Sequence, residues 1–551
     1  MDQKVNRGGL FSALNSALLL TGVVALFFLL TNGVPLVQLG WMKELGKKSR
    51  YVNLTILFVS VFSVFLFGAR FLMPQSFPKF WPVRLWKSLC DVPPLITAAA
   101  LFVIYATVMT IVGFERQAAL QTRAFDLGIF AQAVWNTIHG DLFFSSIKEN
   151  INLMGDHVSP ILILAAPFYA IWPDLRTLVL LQALAAASSF FPLALIVRDK
   201  LKDRPLILVF LLMFFFFQPM RAALHEDFHP EVLAEPFLWW AFLFLDRGKV
   251  VRFLLCLAVA VTGKENFAGI AFMFGFYAFL WKRMRGVGVA VMLGSLGLFI
   301  WETRWLIPHL SGAPYFYGGN YSQMLMDPAS GFVKRLFSGE SAGYVLKVFL
   351  PFLYLPFFNL PTLILTFPIL FQNLLSANGP MRSFNYHYFT GLTPFLFIST
   401  VFSFDQLRRR SGWIGKNCLF AGLLLLFVGV LRSGPSEYWF FRDIHAYRNA
   451  HTEMVRGKLR TIPPDARVLT HNSFIPQLCN RKFIYQFNYN AAPTKLDFAR
   501  KYKADTVVWD AKFWEPQTAS PESTLAEFKD SGYRVSFERD GFYILVRDGS
   551  L

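Results

Sequence analysis

Long apolar runs, separated by short basic or polar loops, constrain the fold of this chain more than any other feature. The sequence has 551 residues, of which 55% are hydrophobic and only 16% are charged. Many of the apolar runs are long enough to cross the hydrocarbon core of a bilayer as a helix. The pattern therefore predicts an all-α polytopic membrane protein.

The apolar runs predict about thirteen transmembrane helices. Their approximate bounds are 10–30, 52–72, 93–113, 175–197, 205–220, 232–245, 253–263, 266–281, 287–307, 343–358, 361–375, 390–404 and 417–432. The apolar stretch at 158–172 contains Pro160, Pro167 and Trp172 and is followed by Pro173, which favours a short helix lying in the membrane interface. The first run has no small-residue cleavage site after it, so we interpret it as a retained span.

The net charge of +18 comes mostly from short loops beside the spans. This is the placement that the positive-inside rule describes, so the charge indicates topology and not nucleic-acid binding. The basic loops at 198–204, 247–252, 282–285 and 408–416 are expected inside. The loops at 114–174, 221–231, 308–342 and 376–389 are then outside, as is the tail after residue 432. The basic loop at 31–51 does not fit this scheme.

The tail after residue 432 has a different character, because its apolar runs shrink to strand length. The segments 467–470, 506–509 and 542–546 favour strands, and 496–502 and 523–531 favour short helices. We predict an N-terminal two-span extension (1–92), a transmembrane catalytic domain (93–432) and a small extracytoplasmic α/β domain (433–551).

Asp126 is the first candidate catalytic residue. It is the charged residue of the otherwise apolar segment 125–130. A carboxylate held at the mouth of a helix bundle is partly buried, which raises its pKa toward that of a useful general base. The alternative is an N-cap aspartate that starts the next helix. Gln132 and Trp135 follow at helical spacing as candidate substrate-binding residues.

Asp156 and His157 form the second candidate cluster, just before Ser159 and Pro160. An adjacent carboxylate and imidazole can bind a metal or orient a substrate hydroxyl. The alternative is a capping turn, since proline fits the first turn of a helix.

The third cluster lies at 225–231 and is the densest. His225, Asp227, His229 and Glu231 are candidate ligands of a divalent metal with mixed nitrogen and oxygen donors. Pro230 disfavours a helical conformation at His229, so a helix should end before it. The alternative is a polar, hydrogen-bonded turn between two spans.

Lys264 and Glu265 divide an apolar stretch into two halves, as expected for the tip of a membrane hairpin. They form either a structural buried ion pair or a substrate site in which Lys264 meets a phosphate. Arg221 and Arg304, near the outer ends of spans, are further phosphate candidates because a guanidinium matches that anion bidentately.

His387 and Tyr388 lie just before the predicted span at 390–404. Aromatic rings at this place can stack on a sugar. An interfacial aromatic belt is the alternative for the tyrosines of this segment, but it does not explain His387.

Five of these segments together resemble a known family. The chain contains, in this order, the motifs FDLGIFAQAVW, DHVSP, FHPE, KEN and NYHY. This set resembles a bacterial and archaeal family of predicted membrane proteins of unknown function, grouped with the GT-C superfamily of glycosyltransferases. The resemblance covers roughly residues 93–550. DHVSP departs from the family, which more often has an aromatic residue before Ser-Pro.

The resemblance implies a GT-C-like fold and inverting transfer of a sugar from a polyprenyl-phosphate donor. It places Asp126 at the acidic position of the first loop and 226–231 at the second acidic motif. Asp126 would then accept the proton of the acceptor hydroxyl, assisted by His157 beside Asp156. Arg221, Lys264 or Arg304 would hold the departing phosphate.

We therefore expect a glycosyltransferase of the cytoplasmic membrane with its active face outside. Its expected partners are the lipid bilayer, a polyprenyl-phosphate-linked sugar and an envelope glycan, lipid or protein acceptor, with no nucleic acid. The one cofactor that the residues suggest is a divalent metal ion.

Two alternatives stay open at this point. A transporter or flippase would place polar residues and broken helices at mid-membrane, often in repeated halves, whereas here they gather at one face. A non-catalytic envelope scaffold would use the outer domain to bind a partner.

Overall fold

The computed structural model describes residue 88 and residues 91–321, 328–433, 448–487, 494–512 and 520–549. The predicted spans at 10–30 and 52–72 lie outside these residues, as does most of the predicted extension 1–92.

Helices dominate the described part of the chain up to residue 433. In chain order they are α1 (Pro94–Ala118), α2 (Ile129–Ile138), α3 (Ala166–Ile171), α4 (Arg176–Ser188), α5 (Phe190–Leu201), α6 (Arg204–Phe215), α7 (Gln218–His225), α8 (Pro230–Asp246), α9 (Val250–Val261), α10 (Phe267–Leu280), α11 (Arg285–Trp301), α12 (Ile307–Ser311), α13 (Pro328–Leu336), α14 (Gly339–Phe349), α15 (Leu360–Leu363), α16 (Phe367–Leu375), α17 (Thr393–Arg410), α18 (Gly412–Lys416) and α19 (Cys418–Ser433).

Four helical segments of the described residues are long and apolar enough to cross a membrane. They are Pro94–Ala118, Arg176–Leu201, Arg204–His225 and Arg285–Ser311. Val250–Val261, Phe267–Leu280 and Leu360–Leu375 are shorter apolar helices. All seven coincide with predicted spans, but the predicted number of about thirteen is not confirmed.

The predicted span at 343–358 is broken, which is one reason for the lower number. Helix α14 ends at Phe349, and Leu353 and Tyr354 adopt left-handed backbone conformations with φ of 49° and 57°. Pro351 and Pro356 flank this break and cannot donate the amide hydrogen bonds that a continuous helix needs.

Close packing of helices fixes the frame around the site. Phe214 lies edge-on to both Phe190 and Phe397, with ring centroids 5.1 and 5.7 Å apart. At Gly275 an added Cβ would lie 2.8 Å from the carbonyl oxygen of Gly288, so α10 and α11 touch at their backbones. Small residues allow such close approach between membrane helices.

The basic loops gather at one end of the bundle. Arg247 forms an ion pair with Asp199 at 2.6 Å, and Arg408 donates to the carbonyl of Leu201 at 2.9 Å. Helix α8 starts at the opposite end with Pro230. The bundle therefore has one basic end and one end at which the polar motifs meet.

The element predicted at 158–172 is helical but consists of two pieces, a 3-10 helix at Pro160–Leu164 and α3. Phe168 and Ile171 on α3 are exposed. Exposed apolar side chains on a short helix are what an element in the membrane interface requires.

The chain after residue 448 forms a five-stranded sheet with flanking helices. Its strands are β3 (Val468–Thr470), β4 (Ile484–Gln486), β5 (Thr506–Asp510), β6 (Tyr533–Arg539) and β7 (Phe542–Arg547), after a small hairpin of β1 (Phe144–Ser145) and β2 (Ile151–Asn152) in the first loop. Its helices are α20 (Ala450–Leu459), α21 (Ile475–Leu478), α22 (Lys495–Tyr502) and α23 (Pro521–Asp530). The strand order is β4-β3-β5-β7-β6.

The predicted mixture of strands and helices in the tail is confirmed. Strands β3 and β4 are parallel, as are β3 and β5, whereas β7 runs antiparallel to β5 and to β6. The segments predicted as strands correspond to β3, β5 and β7. Strand β6 was missed because it lies at the sheet edge and carries mostly polar residues, which leaves a weak apolar signal.

Candidate active site

A polar pocket of about 200 Å³ lies at the end of the bundle opposite the basic loops. Residues from the first loop, from the breaks between helices and from the segment after α16 line it. The predicted site residues in its lining are Asp126, Asp156, His157, His229, Glu231, Lys264, Glu265, His387 and Tyr388. Folding therefore brings together residues from all five motifs.

Asp126 occupies a strained turn. It lies in the kinked turn Ala124–Gly128, in which its own backbone is not helical, with φ of 88° and ψ of −95°. Such a conformation costs a non-glycine residue roughly 1–3 kcal/mol, and strain of this kind clusters at functional sites. Helix α2 follows without a side-chain cap, so the N-cap alternative for Asp126 is wrong.

Two hydrogen bonds hold this turn from opposite sides. The amide of Arg123 donates to Asp227 Oδ2 at 2.8 Å, and the amide of Ala124 donates to Asn472 Oδ1 at 2.6 Å. The first acceptor belongs to the break between α7 and α8, and the second follows β3 of the C-terminal domain.

The Asp126 carboxyl group faces His229, whose Nδ1 lies 3.9 Å from Oδ1. Its side chain is 36% exposed, but only to the confined space of the pocket. Burial raises the pKa of Asp126 well above its usual range, the charges of Asp227 and Glu226 raise it further, and Lys264 opposes them. A carboxylate with a raised pKa is a stronger general base.

His229 and His387 stack with their ring centroids 3.7 Å apart. Burial lowers the pKa of each to about 3, so both imidazoles are neutral. His229 Nε2 lies 2.7 Å from the carbonyl oxygen of Glu226, which can only accept a hydrogen bond. Nε2 therefore carries the proton, and Nδ1 presents a lone pair toward Asp126.

Glu226, His229 and His387 form the group that best fits a metal ion. A carboxylate oxygen and two ring nitrogens lie within 4.8 Å of one another. Neutral imidazoles and a carboxylate are ligands that suit divalent transition metals. The predicted ligand set is corrected accordingly: of its four residues, only His229 belongs to this group.

Asp227 and His225 are not ligands in this arrangement. Asp227 pairs with Arg116 at the end of α1, with 2.9 Å between Oδ1 and Nη1, and its other oxygen accepts from Arg123. His225 ends α7 and does not line the pocket. The break predicted from Pro230 is confirmed, because His229 is extended.

Glu231 and Lys264 form a buried ion pair, with 2.6 Å between Oε1 and Nζ. Lys264 therefore belongs to a buried ion pair, but its direct partner is Glu231. The neighbouring Glu265 interacts electrostatically with Lys264 and has partners of its own. Its carboxylate lies 2.8 Å from His157 Nδ1 and accepts from the hydroxyl of Tyr315 at 2.8 Å.

Asp156 and His157 contribute to the pocket wall, and Asp156 also follows the short 3-10 helix Leu153–Gly155 as its C-cap residue. Asp156 lies 2.9 Å from Lys148 Nζ and accepts from the hydroxyl of Tyr317 at 3.2 Å. The rings of His157 and Tyr317 stack at 4.1 Å. Pro160 starts the 3-10 helix, as the capping alternative predicted, but Ser159 before it makes no side-chain cap.

Three predicted substrate-binding residues lie outside the pocket lining. Gln132 is fully buried and binds Ser146 Oγ and the carbonyl of Arg481, so it joins the first loop to the C-terminal domain. Trp135 stacks on the His139 ring at 4.0 Å. Arg221 donates to the carbonyl of Phe216 at 3.1 Å. Sequence spacing placed Gln132 and Trp135 correctly on a helix, whereas Arg221 was expected in a loop and lies in α7; their partners could not be predicted.

A larger, mostly apolar cavity of about 1100 Å³ adjoins the polar pocket. Leu296 and Phe299 of α11 line it and are exposed, so it opens on the outer surface of the bundle. Arg304 is the one charged residue among the described residues of its lining. Arg304 thus faces this cavity and not the polar pocket.

Four residues line both spaces: Asn266, Tyr315, Tyr321 and Gln372. Asn266 donates to Gln372 Oε1 at 2.9 Å, and the Tyr321 hydroxyl donates to the Gln372 carbonyl at 3.3 Å. These residues form the boundary between the polar pocket and the apolar cavity.

Sequence reasoning missed several pocket residues. Lys148, Gln372, Asn373 and Asn378 line the pocket, although none stands in a recognisable motif. Glu226 belonged to the second acidic cluster but was not chosen as a ligand, because its meeting with His387 depends on folding.

The chain matches a protein family described as "Predicted membrane protein (DUF2079)" over residues 116–544. It belongs to this family. The family predicted from the five motifs is thereby confirmed, and the protein is a membrane protein. No curated protein matches the chain in sequence.

Two solved structures of ArnT from Cupriavidus metallidurans are similar to the chain. The first, bound to undecaprenyl phosphate, has a TM-score of 0.49 at 12% identity and covers 82% of this chain and 98% of its own. The second, in the apo state, has a TM-score of 0.47 at 11% identity, with 81% and 97% covered.

Proposed function

We propose that this protein is a GT-C-type glycosyltransferase that moves a sugar from a polyprenyl-phosphate donor to an envelope acceptor. The observation that carries the proposal is that the polar pocket and the apolar cavity are neighbours that share four lining residues. A polyprenyl-phosphate sugar has an apolar chain for the cavity and a polar head for the pocket. The family motifs of the chain agree with this assignment.

Asp126 is the proposed base of a single displacement. Its carboxylate accepts the proton of the acceptor hydroxyl while that oxygen bonds to the anomeric carbon and the bond from that carbon to the phosphate oxygen breaks. The phosphate leaves with the bonding electron pair, and the anomeric centre inverts. Positioned proton transfer of this kind contributes roughly 10²–10⁴-fold to a rate.

The charge of the pocket restricts how the phosphate is held. Asp126, Asp156, Glu231 and Glu265 line it against two lysines, Lys148 and Lys264. Lys264 is already neutralised by Glu231. A departing anion therefore needs further positive charge to be stabilised.

Two sources of positive charge fit these residues. Arg304 has no ion pair among the described residues and faces the apolar cavity, where it can meet the phosphate of a lipid. The Glu226, His229 and His387 group would hold a divalent ion, which when bound supplies charge that offsets the departing phosphate. His157, fixed by Glu265, and Asp156, fixed by Lys148, complete the polar wall.

The tyrosine-rich segment supplies the proposed sugar contacts. Tyr315, Tyr317, Tyr321 and Tyr388 line the pocket, and their rings offer faces on which a pyranose can stack. Tyr386, next to the pocket, remains consistent with an interfacial belt.

The proposed orientation puts the pocket and the C-terminal domain outside the cytoplasmic membrane. It is supported by the basic loops, which gather at the end of the bundle opposite the pocket. The acceptor then arrives from the aqueous side, and the lipid donor enters sideways from the bilayer.

The test compares cells that lack the protein with cells complemented by wild type, Asp126→Asn or Asp141→Asn. Asp141 is the matched control, because it lies in the same loop but forms only a surface pair with Lys482. Mass spectrometry should find a missing envelope glycan and an accumulated lipid-linked sugar in the deletion, restored by wild type and Asp141→Asn alone. Unchanged glycans, or restoration by Asp126→Asn, would contradict the proposal and favour a transporter or scaffold.

A further inference from the structure

The C-terminal domain packs directly on the turn that carries Asp126. One continuous hydrophobic core contains Leu127 and Phe130 from the first loop together with Val468, Phe474 and Ile475 from the domain. The domain and the turn are thus parts of one packed unit.

Gly128 permits the closest of these contacts. A Cβ at this position would lie 3.0 Å from Ile475 Cγ2 and 3.4 Å from the carbonyl oxygen of Arg123. The first distance is tighter than ordinary van der Waals contact, so glycine allows α21 to approach the turn.

The turn that carries Asp126 lies at the edge of the sheet where β3 ends. In open α/β sheets, ligands bind beyond the carboxyl ends of the strands. Asn472 follows the carboxyl end of β3 by two residues, and its Oδ1 accepts from the amide of Ala124 at 2.6 Å. The Ala124–Gly128 turn thus occupies the place where such a domain would otherwise bind a ligand.

We infer that Asn472 is a positioning residue, through which the C-terminal domain holds Asp126 in its strained conformation. The turn cannot relax toward ordinary backbone angles while Ala124 is fixed to Asn472 and Arg123 is fixed to Asp227. The inference rests on the proposed role of Asp126 as the base, since it states how that carboxylate is aimed.

Asn480 offers a matched control. It lies on the same face of the domain and also bonds to the first loop, accepting from the Tyr169 hydroxyl at 2.6 Å and donating to the Pro173 carbonyl at 2.6 Å. It does not contact the Ala124–Gly128 turn. Its loss weakens docking of the domain without releasing Ala124.

The experiment uses the full-length protein as wild type, Asn472→Ala, Asn472→Asp and Asn480→Ala. The first measurement is hydrogen exchange of the peptide spanning 120–130, which needs no substrate. Asn472→Ala should raise exchange in this peptide, whereas Asn472→Asp keeps an acceptor of the same reach and should restore protection. Equal exchange in wild type and Asn472→Ala would overturn the inference.

The second measurement separates kcat from KM for sugar transfer. Misplacing a catalytic group by about 1 Å costs up to roughly a hundredfold, so Asn472→Ala should lower kcat with little change in the KM of the donor. Asn472→Asp should recover kcat, and Asn480→Ala should keep it. If Asn480→Ala lowers kcat as much as Asn472→Ala does, the positioning role is overturned and general docking of the domain explains the loss.

The two measurements keep the hypotheses apart. If wild type transfers no sugar, the proposed function fails, while exchange still decides whether Asn472 holds the turn. If exchange changes as expected but kcat does not, the positioning role is wrong and the transferase stands.

Discussion

Two regions of this molecule place histidines beside carboxylates, with opposite effects on the pKa of the histidines. In the polar pocket, burial lowers the pKa of His229 and His387 to about 3. In the C-terminal domain, His451 lies 2.8 Å from both Asp510 and Asp540. Burial alone would lower the pKa of His451, but its hydrogen bonds with the two carboxylates outweigh burial and raise it.

The difference separates groups arranged for chemistry from groups arranged for stability. At the surface of the domain, His451 lies between two carboxylates near solvent. In the pocket, carboxylates outnumber lysines, the histidines keep their lone pairs, and Asp126 sits on a strained backbone. Unfavourable arrangements of this kind persist where function requires them.

The largest expected effect is on catalysis at Asp126. Asp126→Asn should lower the rate of sugar transfer by roughly 10²–10⁴-fold without lowering the unfolding temperature. Asp126→Gly should also abolish transfer, but should stabilise the protein by about 1 kcal/mol because glycine adopts positive φ without strain. Transfer assays and thermal unfolding in detergent measure both. An Asp126→Gly protein less stable than wild type would show that the turn is not strained.

The second effect concerns the buried pair of Lys264 and Glu231. Lys264→Met leaves a buried carboxylate without its partner, which typically costs about 3–5 kcal/mol. Lys512→Met, which breaks a surface pair with Asp540 in the other region, should cost about 1 kcal/mol or less. Chemical denaturation compares the two. Similar losses would mean that the pocket pair is screened like a surface pair.

The third effect concerns metal binding. Glu226→Gln should weaken binding of Mn²⁺ or Zn²⁺ to the purified protein by more than about tenfold, since even outer partners of metal ligands contribute that much. His451→Gln is the control from the other region and should bind the ion as wild type does. Calorimetric titration measures the affinity. Equal affinity in Glu226→Gln and wild type would exclude the Glu226, His229 and His387 group as the site.

Much of the fold could be predicted because hydrophobic runs report burial directly. The apolar runs that form α4, α10 and β7 could be predicted from their length and composition alone. The breaks were harder to predict. Pro230 indicated the break before α8. The left-handed conformations of Leu353 and Tyr354 have no local signal beyond the neighbouring prolines.

The candidate site was predictable by residue type but not by partner. Asp126, His229 and His387 stood out because polar residues are costly beside a bilayer. However, Asp227 resembled a ligand in sequence and pairs with Arg116, while Glu226 meets His387 across 161 positions of the chain. Asn472 carries no signal at all, since its role depends on how the domain docks.

The smallest expected effect is a pH dependence confined to the C-terminal domain. His451 joins α20 to the end of β5 through Asp510 and to the turn between β6 and β7 through Asp540. Because folding raises its pKa above the usual 6.5, its contribution is fully present below about pH 6.5 and is lost as pH rises through the folded value. Hydrogen exchange of α20 and β5 should therefore accelerate above that pH in wild type. In His451→Gln it should be insensitive to pH once the intrinsic rate is corrected, because glutamine does not titrate. Pocket peptides should show no such rise in exchange, since His229 and His387 are neutral throughout this range. If exchange of the pocket peptides also accelerates, the histidines of the two regions do not differ in protonation.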